Sequence, residues 1–231
     1  MRRKVKPGWI LLAVVTVWAV LATMIAATPP EPVAVGTLPG EPAAPDRGFW
    51  FPIPGARVPD DPLYLPNAPR EYRQGTAEGF DFFERASGGV PIGFGTGVVA
   101  ARSGEIIRAD LRYEESTAAE FQALVDKGAD GRLTDDDLDR LRGRQVWIEH
   151  PGGVITRYAH LSGIAPGLQV GSRVVRGQII GFVGNSGTSD GVRGTRTNAR
   201  LRFEVWYGDR YFGQGMTAAQ VRDAARRLFS E

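Results

Sequence analysis

The 231 residues include no cysteine and only two histidines. The first absence removes disulfides, thiol nucleophiles and thiolate metal sites together, and leaves the redox compartment open by this criterion. The second restricts any catalytic zinc, because such an ion needs three nitrogen, sulfur or carboxylate ligands and one open position for water. A surplus of one charge is also missing. The formal net charge is +2, and of 28 basic residues four (Arg2, Arg3, Lys4 and Lys6) precede the first acid, which leaves 24 against 26 acidic residues in the rest. No dense basic stripe with interleaved aromatics remains, and nucleic acid is not among the expected partners.

What is present first is an apolar stretch, Trp9 to Ala27, softened only by Thr16 and Thr23. It is long enough to cross a bilayer as a helix. A cleaved signal peptide usually has a shorter apolar region and a small-x-small cleavage site, which Ile25-Ala26-Ala27 matches poorly. We therefore expect residues 1–28 to form a basic cytoplasmic tail and an uncleaved transmembrane signal anchor, with the remainder outside the cytoplasm, periplasmic or extracellular. Residues 29–70 hold twelve prolines, each fixing φ and removing a donor, so a regular element is excluded there. Its first half reads as a semi-extended spacer. Phe49, Trp50, Phe51, Tyr64 and Leu65 are too apolar for a free linker and are expected to pack on the domain that follows.

From residue 71 to 213 short apolar runs punctuated by glycine predict a mainly β domain of packed antiparallel sheets. Val90 to Ile107 reads as a hairpin. Gln145 to Ile148, the Pro151-Gly152-Gly153 turn and Val154 to Tyr158 form a second one. Leu201 to Tyr207 reads as a late, central strand. Gly93 to Gly97 does not qualify as a phosphate loop, since strand-like Val98 to Ala101 follows it rather than a helix. Residues 114–143 interrupt the pattern as a helical insertion, with Thr117 and Glu120 forming a capping box and Phe121, Leu124 and Val125 on one face. Asp126 to Asp137 has the length of an EF-hand loop, whose calcium ligands would be Asp126, Asp130, Arg132, Thr134 and Asp137 around Gly131. Position three is Gly128 and position twelve is aspartate rather than glutamate, so a helical hairpin with a solvated acidic turn stands beside the calcium reading. Residues 214–231 predict a terminal helix, capped by Thr217 and Gln220, with Val221, Ala224, Leu228 and Phe229 on its inner face.

Three segments, Gln145 to Ser162, Val170 to Gly187 and Leu201 to Val205, resemble the lysostaphin-type (LytM) zinc endopeptidases of bacterial cell walls. The resemblance extends over Tyr72 to Phe212 apart from the insertion and implies a LytM-like antiparallel β-sandwich. It also implies which positions would hold zinc. The family's histidine and aspartate of the first motif fall on Ala77 and Asp81, and the second histidine of its histidine-x-histidine falls on Arg202. Only Asp81 is a ligand type, and arginine does not deprotonate to become one. His160 corresponds to a family histidine that assists catalysis, and its partner falls on Arg200. His150, beside the turn, reads as structural or exposed.

Other hydrolytic chemistries find less. Ser186 and Ser189 lack a Gly-x-Ser-x-Gly setting and read as part of a glycine-serine turn. Glu78 with Asp81 or Glu204 could form a glycosidase-like carboxylate pair, which sequence proximity does not decide.

The resemblance thus implies a degenerate member with no zinc and no catalytic residues expected, similar to the activators and scaffolds of cell-wall hydrolases, with peptidoglycan or such a hydrolase as partner. Asp81, Arg202, Arg200, His160 and Arg196 are its candidate ligand-binding residues, and a salt bridge from Arg202 to Asp81 is expected in the place of the metal. Two alternatives stand beside it: a peptidoglycan metalloendopeptidase with a non-standard site, and a calcium-responsive extracytoplasmic adhesion or assembly module.

Overall fold

The computed structural model describes residues 46–83 and 89–230. The expected transmembrane helix and most of the proline-rich spacer lie outside them. Among the described residues no helix is long and apolar enough to cross a membrane.

The described residues form twelve strands and four α-helices in order. They are β1 (Pro69–Arg70), β2 (Gly75–Thr76), β3 (Phe80–Phe82), β4 (Gly97–Val99), β5 (Gly104–Ala109), α1 (Ala118–Ala129), α2 (Asp135–Arg142), β6 (Val146–His150) and β7 (Val154–Ala159). The chain continues through β8 (Leu161–Ile164), β9 (Arg173–Val174), β10 (Ile179–Val183), α3 (Ser189–Val192), β11 (Leu201–Tyr207), β12 (Arg210–Tyr211) and α4 (Ala218–Leu228). The largest sheet runs β12-β11-β7-β6-β5-β9, with β3 also paired to β11; β4, β10 and β8 form a second sheet, and β1 and β2 a third. All these pairings are antiparallel. The mainly β expectation therefore holds, with several sheets sharing one core.

Because successive strand side chains point to opposite faces, β11 sorts its residues into two sets. Leu201, Phe203 and Val205 are buried in the apolar core. Phe80, Phe82, Tyr158, Phe203, Phe212 and Phe229 form a chain of ring contacts there. Arg202 and Glu204, on the other face, are buried too, and so the sheet has a charged underside that is not solvent-exposed.

The expected lead-in packing is present. Phe49 and Leu65 are fully buried, Phe51 stacks on Phe229 with centroids 4.1 Å apart, and the Phe49 N–H donates to Leu228 O. Trp50 differs: it stays 42% exposed, with Arg176 over its ring. On α4 Val221, Ala225 and Leu228 are buried, which adds Ala225 to the expected face.

One expectation needs correction. Val90 to Ile107 is not a hairpin: β4 pairs with β10 while β5 pairs with β6 and β9. The buried run Ala100 to Ser103 carries the chain from one sheet to the other, and so the two strands never meet. In the insertion both helices form, with the Thr117–Glu120 box and a second box of Thr134 and Asp137. Helix α1 continues through Ala129, Asp126 accepts from Gln122, and the carboxylate of Asp137 is held by Lys127 Nζ at 2.9 Å and by the Thr134 N–H. Hydrogen bonding and ion pairing thus engage the side chains at the first and twelfth positions.

Gly104 lets β5 lie against β6, since a Cβ there would sit 2.2 Å from Glu149 O, whereas at Gly97 it would meet nothing within 4 Å. Gly104→Ala is expected to cost about 1–3 kcal/mol by overpacking and Gly97→Ala far less, as read from denaturant midpoints.

Candidate functional site

The charged underside is built by strand register. Asp81 and Arg202 are direct Cα partners across β3 and β11, so their side chains emerge on one face at neighbouring positions. The expected pair forms: Arg202 Nε donates to Asp81 Oδ1 at 2.9 Å and Nη2 to Oδ2 at 2.8 Å. Arg70 Nη2 donates to the same Oδ2 at 2.8 Å. Burial pushes the Asp81 carboxyl up, but Arg202, with Arg200 and Arg70 behind it, overrides this and holds it well below the carboxylate range. The same pairing raises Arg202.

A second cluster lies two residues along the strand. Fully buried Glu204 accepts from Arg142 Nε at 3.2 Å and Trp206 Nε1 at 2.8 Å. Burial raises its carboxyl, and Arg142, Arg202 and Arg157 together leave it lowered. Arg142 also bonds Glu78. Arg157, opposite Glu204 in register, has its guanidinium 3.9 Å from the Trp147 ring centroid and 4.1 Å from that of Trp206. Glu78, Asp81 and Glu204 are therefore each bound to arginine, which removes the free acid and base that a glycosidase pair needs.

His160 closes the site from the β7–β8 corner. It has φ 61°, a left-handed conformation uncommon outside glycine, held by donation of its N–H to Arg142 O at 2.8 Å. Its Nδ1 lies 2.8 Å from Ser186 O. A carbonyl oxygen only accepts, so Nδ1 carries the proton and Nε2 presents a lone pair. Nε2 is buried with no hydrogen-bond partner. Burial, then Arg200 and Arg202, push the imidazole well below its ordinary pKa. Ser186 is structural, as expected: its Oγ donates to Leu161 O and accepts from Arg144 N–H. His150 is buried rather than exposed, between Ser103 O and Thr156 Oγ1.

A cavity of about 410 Å³ opens over this cluster, lined among others by Arg73, Arg142, His160, Arg200 and Arg202. Arg200 lies 5.5 Å from the Phe83 ring centroid. Arg196, expected at the site, is outside this cavity; it stacks on Phe94 and lines a neighbouring one. Arg70, Arg73 and Arg142 were not expected at the site, because nothing in their spacing sets them apart from surface arginines.

The residues at the implied zinc positions do not fit the ion. Ala77 offers no side-chain donor, Arg202 cannot ligate, and both oxygens of Asp81 are already bonded to guanidinium. Among the described residues no group of three or more His, Asp or Glu side chains could hold a metal ion.

The model for peptidase family M23 matches residues 88–213. The match begins after Asp81, so the first-motif correspondence of Ala77 and Asp81 rests on the segment resemblance. Similar solved structures include a zinc-containing peptidase from Vibrio cholerae, at 22% identity and TM-score 0.44 over 71% of this chain and 38% of that one. The catalytic domain of the antimicrobial peptidase lysostaphin from Staphylococcus simulans is 24% identical, TM-score 0.39, over 64% and 82%. Csd3 from Helicobacter pylori is 18% identical, TM-score 0.39, over 75% and 32%. The chain thus spans well under half of the first and third of these. No curated protein matches the chain at comparable significance.

Arg202→Met is expected to lower unfolding free energy by about 3 kcal/mol, since it strips a buried carboxylate of its bidentate partner. Asp81→Asn tests the same pair by pH. The lowered folded-state pKa of Asp81 gives stability that is complete above the unfolded value of about 4 and is lost as pH falls below it. Acid unfolding of the Asp81→Asn protein should lack that part of the decline.

Proposed function

The chain belongs to peptidase family M23, and we propose that it serves at the bacterial cell wall as a binding or regulatory module, for peptidoglycan or a peptidoglycan hydrolase, rather than as a hydrolase itself. The reading includes attachment to the cell membrane by the apolar stretch Trp9 to Ala27, with the β domain outside the cytoplasm.

The observation that carries it is the bidentate Arg202–Asp81 pair. A family hydrolase needs a metal to acidify water and polarise the scissile carbonyl. Here the one surviving ligand-type residue is bound by a cation that is permanently charged and covalently part of the chain. The rest of the machinery points the same way. His160, whose imidazole is held neutral by burial and by two arginines, faces Arg200 where a family hydrolase carries a second histidine. What persists is a folded cavity with polar walls, which suits recognition.

The full chain, purified in detergent, is expected to carry no stoichiometric zinc by elemental analysis, to release no soluble fragments from purified peptidoglycan, and to co-sediment with that polymer or with a cell-wall hydrolase. Fragment release by the wild-type protein that Asp81→Asn or His160→Gln abolishes would overturn this reading in favour of an enzyme.

A further inference from the structure

The cavity over the Asp81–Arg202 pair carries an unbalanced set of polar groups. Four arginines line it (Arg73, Arg142, Arg200 and Arg202) against one lining carboxylate, Asp190. Asp190 is already held by Arg193, Thr197 and Asn198. Arg202 is matched by Asp81, and Arg142 by Glu78 and Glu204. Neither Arg73 nor Arg200 forms an ion pair among the described residues: Arg73 donates to Thr76 O, and Arg200 rests against the face of Phe83, where its desolvation lowers its pKa despite the attraction of Asp81. Beside it His160, 3% exposed, lines the same cavity, and its buried Nε2 has no hydrogen-bond partner.

These two groups define a ligand between them. An unpaired guanidinium calls for a planar oxyanion. A lone pair next to it repels an anion unless the ligand also brings a donor. Inorganic phosphate carries an O–H donor but is tetrahedral, and so it does not match the planar fork of a guanidinium as a carboxylate does. The C-terminal residue of a peptide supplies both, since its carboxylate and its own amide N–H are two bonds apart through Cα. The apolar lining of Tyr64, Phe83, Phe121, Leu138 and Leu141 would take the side chain. Tyr64, Phe83 and Asn198 also line the neighbouring cavity of about 710 Å³, which leaves room for the preceding residues.

We propose that this cavity seats the C-terminal residue of a short peptide, with its free carboxylate on Arg200 and its amide N–H on His160 Nε2. The proposal deepens the reading of the site as a binding module and rests on it. Zinc content and peptidoglycan digestion are measured separately, so either idea can fail without the other.

The test uses the full chain in detergent with ¹⁵N-labelled histidine. The probes are acetyl-Ala-Ala, its C-terminal amide, the α-monoamide of acetyl-aspartate as a side-chain carboxylate, and inorganic phosphate. With two histidines in the chain, the ring resonances of His160 should move with acetyl-Ala-Ala while those of His150 stay fixed, and the amide should bind at least about tenfold more weakly. Arg200→Gln should remove the response without lowering the melting temperature, because it deletes a desolvated charge that has no partner. Equal binding of the amide, preference for phosphate, or no His160 response to acetyl-Ala-Ala would each overturn the proposal. Tighter binding of the aspartate derivative would instead point to an acidic side chain of a protein and overturn the C-terminal assignment. An Arg200→Gln protein that melts lower would show the charge to be structural.

Discussion

Three carboxylates held beneath a β-sheet constrain everything around them. Asp81 and Glu204 are buried and Glu78 partly so, and leaving a buried charge unpaired costs several kcal/mol. Each is met by arginine. The Asp81–Arg202 bond needs no long-range adjustment: the partners are opposite each other in the β3–β11 register, and a one-residue slip would send one of them to the aromatic core. The pair and the register therefore specify each other. The opposite face of the same strands adds its own demand, since Phe80, Phe82 and Phe203 belong to one buried cluster.

The helical insertion is part of this arrangement. Arg142 closes α2 and reaches Glu204 and Glu78, while Gly143 follows in a conformation that no side chain would tolerate, with a would-be Cβ 2.3 Å from Ser186 O. Arg142 O and Arg144 O then accept from the N–H groups of His160 and Leu161. The end of the insertion thus fixes the corner that aims His160. Farther out, Arg108 grips both Asp110 and Asp139, tying α2 to the end of β5. The insertion is in this way tied to the sheet by its own charged residues.

What was legible in the sequence depended on range. Local signals read correctly: the β6–β7 hairpin with Gly152 and Gly153 at positive φ, and the capping boxes at Thr117 and Thr217. The Asp81–Arg202 contact was accessible only because the segment resemblance set two distant positions side by side. Range also explains the misses. Whether Val98 pairs forward to β5 or across to β10 is decided by which sheet receives Ala100 to Ser103, and no two-residue alternation encodes that choice. Arg70, Arg73 and Arg142 look like ordinary surface residues until their carboxylates are located. The acidic run after α1 carries ligand types at suitable spacing, and the oxygens of Asp137 are bonded by Thr134 and Lys127.

The charge state of the site follows from the same substitutions. A metal-centred hydrolase operates through groups poised to exchange protons near the working pH. In this cavity the central cation is an arginine, charged at any physiological pH; Asp81 is held ionised by it; and His160 is held neutral by burial and by Arg200 and Arg202. None of the three changes protonation around neutrality. Such a set is poorly suited to moving protons and well suited to presenting a constant electrostatic surface, independent of metal supply and of modest acidification. On the proposed reading, a side chain in the place of an exchangeable ion suits the cavity to holding a ligand of fixed charge rather than to activating water.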